Sequence, residues 1–157
     1  MIWTAERLQK AREEAESWLG VPHVDRRCSR QEGIDCVHYL REILVAAGVV
    51  DRRDLPPYPT AEGLWSRSDR LLEALEKALH VVRVGAEEAA DGDIVVGRTW
   101  GASAHVGFLL DGQLYHALAG RCVLKSPWAQ WRARAEAVLR LTDLGWNVEP
   151  SRIWVER

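Results

Sequence analysis

Three side chains in this sequence have the types and positions that acyl-transfer chemistry needs: Cys36, His105 and His116. Cys36 follows Asp35, a residue type that caps helix N-termini. It precedes Val37, Leu40, Leu44 and Ala47 at helical spacing, with Gly48 as the stop. The spacing predicts a helix over Cys36–Ala47 with the thiol in its first turn, where free amides and the macrodipole favour an anion such as a thiolate. By itself such a cysteine reads as a small buried hydrophobe, because most free thiols are inert. The histidines argue for more. Asp111-Gly112 between two apolar runs is a strong two-residue hairpin signal. It sets Leu110 opposite Gln113, Leu109 opposite Leu114, Phe108 opposite Tyr115 and Gly107 opposite His116. Alternation then puts His105 and His116 on one sheet face, diagonal neighbours about 7–8 Å apart at the backbone, with Gly107 leaving space between them. One imidazole can take a thiol proton while the other holds its tautomer and orientation.

The elements that must position these groups divide the chain in two. Thr4 caps a first helix whose stripe is Leu8, Ala11, Ala15 and Trp18, stopped by Gly20 and Pro22. Val21 to Ile34 is polar, carries Arg26, Arg27 and Arg30, and reads as a loop. Asp51 to Pro59 is a second loop, with three prolines. Thr60 to Leu79 reads as helical, with Leu71, Leu72, Leu75 and Leu79 on its core face. From His80 the pattern turns to strands: His80–Val84, Ile94–Val96, Ala104–Leu110, Gln113–Ala117, Arg121–Lys125, Val138–Leu141 and a closing edge strand Ile153–Val155, with a helical turn at Trp128 and Trp131. Helices first and strands second predict an α+β fold, N-terminal helices packed on a C-terminal antiparallel β-sheet, in one domain over 1–157.

Composition narrows the function classes. With 21 Lys+Arg against 23 Asp+Glu, a net charge of −2 gives no electrostatic reason to expect a nucleic acid or an anionic membrane as partner. Three cysteines leave at least one thiol free. No Cys-x₂₋₄-Cys pair exists, so structural zinc spacing is absent and no metal or other cofactor is expected. Cys28 and Cys122 read as incidental thiols. The start of the chain is charged from Glu6 onward and lacks the apolar core of a secretory signal. A soluble chain made in the cytoplasm is therefore expected, released, if at all, by a signal-independent route such as lysis or a phage particle. Trp3, Trp18, Trp128 and Trp131 fall where helix faces bury them. Trp100, in the loop leading to His105, is placed either to wall a substrate cleft or to pack that loop.

Gly33-Ile34-Asp35-Cys36-Val37 at a helix start resembles the nucleophile motif of NlpC-type papain-like cysteine peptidases. Gly92-Asp93-Ile94-Val95-Val96, His105-Val106-Gly107-Phe108-Leu109 and Tyr115-His116-Ala117 are similar, in the same order, to the family's second half. The likeness spans about Trp18 to Leu141. Leu19-Gly20-Val21-Pro22 and Pro56-Pro57-Tyr58-Pro59 look most like the phage-tail-associated branch. The resemblance implies a papain-like fold, with Cys36 as nucleophile, His105 as general base, His116 as orienting residue and the Cys36 amide in the oxyanion hole. It also implies a peptidoglycan stem peptide or similar small peptide as substrate, with a phage tail or another delivery partner.

Two departures bear on the site. Val37 and His38 stand where the family has small residues, and His23 stands where a tyrosine is common. Asp35, His23 and Trp100 are thus the candidates for shaping the substrate and oxyanion site, although a solvated loop histidine is the plainer reading of His23. His38, two residues from Cys36 on one helix, does not face it and is a poor base for it. Arg26, Arg27 and Arg30 are placed to meet peptide carboxylates or simply to line a solvated face. Two other readings stay open: a non-catalytic phage-tail structural or assembly module with a degenerate peptidase fold, and an amidase or acyltransferase on another amide.

Overall fold

The computed structural model of the chain describes residues 1–56, 68–99 and 104–153. Helix α1 (Ala5–Ser17) starts at Thr4, whose side chain accepts from the Arg7 amide, and buries Ala11 and Ala15. Helix α2 (Cys36–Ala46) starts at Asp35 and ends at Ala47, with Gly48 at φ 74°. Its Tyr39, Leu40, Ile43 and Leu44 are buried. The Tyr39 hydroxyl donates to the Ala15 carbonyl at 2.7 Å, which fixes α1 against α2. Helix α3 (Ser68–Ala78) occupies the C-terminal part of the expected third helix, and 57–67 lie outside the described residues. None of the described helices is long and apolar enough to cross a membrane.

Between α1 and α2, the segment expected to be a plain loop contains a small antiparallel pair, β1 (Cys28–Ser29) with β2 (Gly33–Ile34). Gly33 makes it possible. Its φ is 142°, and an added Cβ would lie 2.4 Å from Val24 Cγ2 and 2.8 Å from the Pro22 carbonyl oxygen, so no side chain fits. The loop is thereby clamped immediately before the cap of α2.

The second half forms one antiparallel sheet of β3 (Leu79–Val84), β4 (Ile94–Arg98), β5 (Ala104–Leu110), β6 (Gln113–Ala117), β7 (Val123–Pro127) and β8 (Ala135–Trp146). The order is β3-β8-β4-β5-β6-β7, so the molecule is α+β as expected. A short helix α4 (Trp128–Trp131) links β7 towards β8. The hairpin has the register that Asp111-Gly112 requires, and both turn residues take positive φ, 54° and 72°. Arg12 braces Asp111 through two hydrogen bonds, at 2.7 and 3.0 Å.

The closing strand expected at Ile153–Val155 falls largely outside the described residues: Pro150, which lacks an N–H and suits a helical first turn, opens a 3₁₀ turn over Pro150–Arg152, and Ile153, the last described residue, follows that turn. Two expectations need correction. The strand expected at Arg121–Lys125 is shifted to Val123–Pro127. Gly107 also leaves no gap, since a Cβ there would lie 2.6 Å from Leu114 Cδ1.

Strict alternation gives the sheet two apolar faces. Ile94, Val96, Val106, Phe108 and Leu110 pack with α1, α2 and α3. On the other face Val95, Leu109, Leu114, Leu118, Trp131 and Val138 form a smaller cluster. The Gly92-Asp93 pair that resembled a family signature is structural here. Gly92, at φ 91°, lies under the Trp3 ring, while the buried Asp93 carboxylate accepts two bonds from Arg140 of β8, at 3.0 and 2.9 Å.

Candidate active site

His105 and His116 meet. His105 Nε2 lies 2.7 Å from His116 Nδ1, with ring centroids 4.9 Å apart. The ladder between β5 and β6 stops at Phe108 opposite Tyr115, while β6 stays paired with β7 to Ala117. The two imidazoles therefore bridge the place where β5 leaves its partner. His116 is fully buried and His105 is 4% exposed. His116 Nε2 lies 2.9 Å from Ser126 Oγ on β7. The Trp131 indole packs on both rings, nearly perpendicular to His116 at 4.7 Å and tilted over His105 at 5.7 Å.

Cys36 begins α2 in the expected position. Its sulfur meets the N–H of Val106 and its own N–H, so the thiol abuts the amide that joins His105 to Val106. Asp35 is the cap: Oδ1 accepts from the His38 amide at 2.8 Å and Oδ2 from the Arg26 amide at 2.9 Å. The His38 ring turns back onto the same carboxylate, Nδ1 to Oδ1 2.8 Å. The cap thus joins the clamped loop to the first turn of the helix that carries the thiol.

Electrostatics set the resting protonation. Helix-start placement alone suggests a lowered thiol pKa, but Cys36 is 2% exposed. Burial pushes the thiol up, the Asp35 carboxylate adds to this, and the two N–H groups only partly oppose them. Burial holds His105 well below its usual value, and the neighbouring His116 and His23 oppose its protonation further. Burial also lowers His116 to about 4. At neutral pH the site therefore holds a thiol and two neutral imidazoles.

His23 is not the solvated loop histidine of the plainer reading. Its side chain is 9% exposed, with Nε2 3.7 Å from Asp25. Its backbone bridges to Ile34 and donates to the Arg121 carbonyl, which brings it within electrostatic range of His105. Trp100 lies outside the described residues. The arginines have protein partners: Arg27 pairs with Glu32, and Arg30 pairs with Glu14 and lies over the Trp18 ring at 4.1 Å. Cys28 donates to Glu42 within a cluster that includes Arg41 and Arg52. Burial first, and then Glu42, push this thiol up to about 11. Among the described residues no group of three or more His, Cys, Asp and Glu side chains could hold a metal ion.

Ser126 and Trp131 escape a reading of the sequence for different reasons. Ser126 lies just beyond the strand expected at Arg121–Lys125. Yet the β6–β7 register sets Leu124 opposite His116, which makes Ser126 its diagonal neighbour. Trp131 does read as a core residue, and it is one, but the face it covers carries the two histidines.

No protein-family model matches the sequence, and no curated protein matches it. Solved structures do. A protein similar to lipoprotein of the NLP/P60 family from Staphylococcus aureus superposes with a TM-score of 0.58 at 20% identity, over 88% of this chain and 42% of that one. The chain thus spans less than half the length of that protein. The NlpC/p60 domain of the peptidoglycan hydrolase SagA superposes with a TM-score of 0.55 at 23% identity, over 85% of this chain and 98% of that domain. At these identities the likeness is one of fold, and the fold is the papain-like NlpC/P60 one.

Proposed function

We propose that this chain is a cysteine peptidase of the NlpC type that cleaves amide bonds in peptidoglycan peptides, with Cys36 as nucleophile, His105 as general base and His116 as the residue that orients it. The observation that carries the reading is the His105–His116 contact of 2.7 Å beside a helix-start thiol that abuts the main chain of His105. The SagA hydrolase domain, matched over nearly its whole length, supports the substrate class. Because the resting groups are neutral, the proton leaves sulfur as sulfur attacks. The S–H bond breaks, His105 Nδ1 gains the proton, and the sulfur pair forms the bond to the carbonyl carbon. The Cys36 N–H faces the developing oxyanion. His105 then protonates the leaving amine, and water releases the acyl group from sulfur. His23 belongs to the walls of the substrate site in this reading. The phage-tail branch rests on Leu19–Pro22 and on Pro56–Pro59, most of which lies outside the described residues.

The test is digestion of purified cell wall or muropeptides by wild type and Cys36→Ala, followed as new amino termini. Release by wild type alone is expected, and equal release by both would refute the proposal. The same chemistry on another amide would appear as Cys36-dependent turnover of that substrate without muropeptide cleavage. One observation favours the second reading, a non-catalytic module: a thiol that is buried and held protonated. That reading expects no Cys36-dependent turnover at all.

A further inference from the structure

We propose that Ser126 is a positioning residue of this site: its Oγ accepts the Nε2–H of His116 and so holds His116 in the one tautomer whose Nδ1 can accept from His105. The inference rests on the peptidase reading above for the direction of the row and for its consequence in turnover, and on geometry for the contacts themselves.

The contacts follow one another in a row. His105 Nε2 reaches His116 Nδ1 at 2.7 Å, and His116 Nε2 reaches Ser126 Oγ at 2.9 Å. A neutral imidazole carries one N–H and one lone pair, so the row has two self-consistent directions. If Ser126 donates to His116 Nε2, the His116 proton sits on Nδ1 and points at His105 Nε2. His105 must then carry its own proton on Nδ1, and it has no lone pair there for a thiol proton. If Ser126 accepts, His116 carries Nε2–H and its Nδ1 accepts from His105 Nε2–H. That leaves His105 Nδ1 as a free base. Only the second direction survives once His105 has taken the thiol proton, because the imidazolium must donate from Nε2. No proton passes to Ser126 in this step.

Surroundings fix the direction's geometry. Ser126 is 9% exposed and paired opposite Leu114, so β7 sets its backbone position. Trp131 stands nearly perpendicular to the His116 ring at 4.7 Å and hinders its rotation. His116 stays neutral at pH 7, its pKa lowered to about 4 by burial. Among the described residues the base is therefore oriented by two neutral groups, His116 and Ser126.

The test is ¹⁵N–¹H spectroscopy of the histidine rings at pH 7 in wild type, Ser126→Ala and Ser126→Thr, with kcat and KM on muropeptides measured alongside. Expected are Nε2–H tautomers for both His105 and His116 in wild type and in Ser126→Thr. Ser126→Ala should lose the single tautomer of His116 and lower kcat about 10- to 100-fold with KM unchanged. A wild-type His116 protonated on Nδ1 would overturn the inference, as would Ser126→Ala with unaltered tautomers. If Ser126→Ala does not fold, the wild-type and Ser126→Thr spectra still decide. Tautomers that respond as expected in a protein that digests no cell wall would support the hydrogen-bond assignment and count against the peptidase reading alone.

Discussion

Cys36 carries opposing influences that differ in reach. The N–H of Cys36 at the helix start and the N–H of Val106 on β5 act on the sulfur directly, but burial removes the water that would solvate a thiolate, and the Asp35 carboxylate lies on the adjoining residue. Burial wins. The thiol stays protonated, and His105, held low by burial and by His116, stays neutral. The chemistry consistent with this state is general-base attack from a neutral pair. Site-resolved alkylation of Cys36 with iodoacetamide should therefore keep rising with pH through pH 9. A rate plateau below pH 7 would reveal a stable thiolate–imidazolium pair and contradict it.

Helix α2 begins where it does because Asp35 closes it, and Asp35 serves two segments at once. Its Oδ1 satisfies the His38 amide, while its Oδ2 ties down Arg26, a non-glycine residue at φ 62° in the preceding loop. Removal of the cap frees both the first turn under Cys36 and the loop that carries His23. Asp35→Ala is expected to cost about 1–2 kcal/mol of stability, read as a lowered urea midpoint. It should also speed Cys36 alkylation, because the first turn opens. An unchanged midpoint would show that the cap is not what holds this end.

The whole molecule buries titratable groups on both sides of its sheet, and this makes its stability depend on pH with a definite sign. His116 is lowered from 6.5 to about 4, so the unfolded chain binds its proton first. Stability falls as pH drops through 6.5 and the loss is complete near pH 4, about 3 kcal/mol at most for this group. His105 acts in the same direction. Burial alone would raise Glu42, but hydrogen bonds from Arg52, Cys28 and Arg41 outweigh it and lower the carboxyl to about 2. Its contribution is lost in a separate window, from 4.5 down to about 2. Urea midpoints measured from pH 7 to pH 4 should fall continuously in wild type and less steeply in His116→Gln. Equal slopes would show that His116 does not titrate differently in the two states.

Much of this was legible in the sequence. Local rules determined the Asp35 cap, the start and stop of α2, the Asp111-Gly112 turn and hence the register of β5 on β6. With that register came the shared face of His105 and His116, because a two-residue turn and a period of two leave no freedom. The tertiary structure decided what local rules do not contain. It paired β7 with β6 two residues further on than the strand pattern reads, and so brought Ser126 to His116. It laid Trp131 over both rings and drew His23 in from its loop. It also buried the Cys36 thiol. Helix-start placement is a property of neighbours along the chain and favours the anion. Desolvation is a property of everything packed around the sulfur, and here it is the larger of the two.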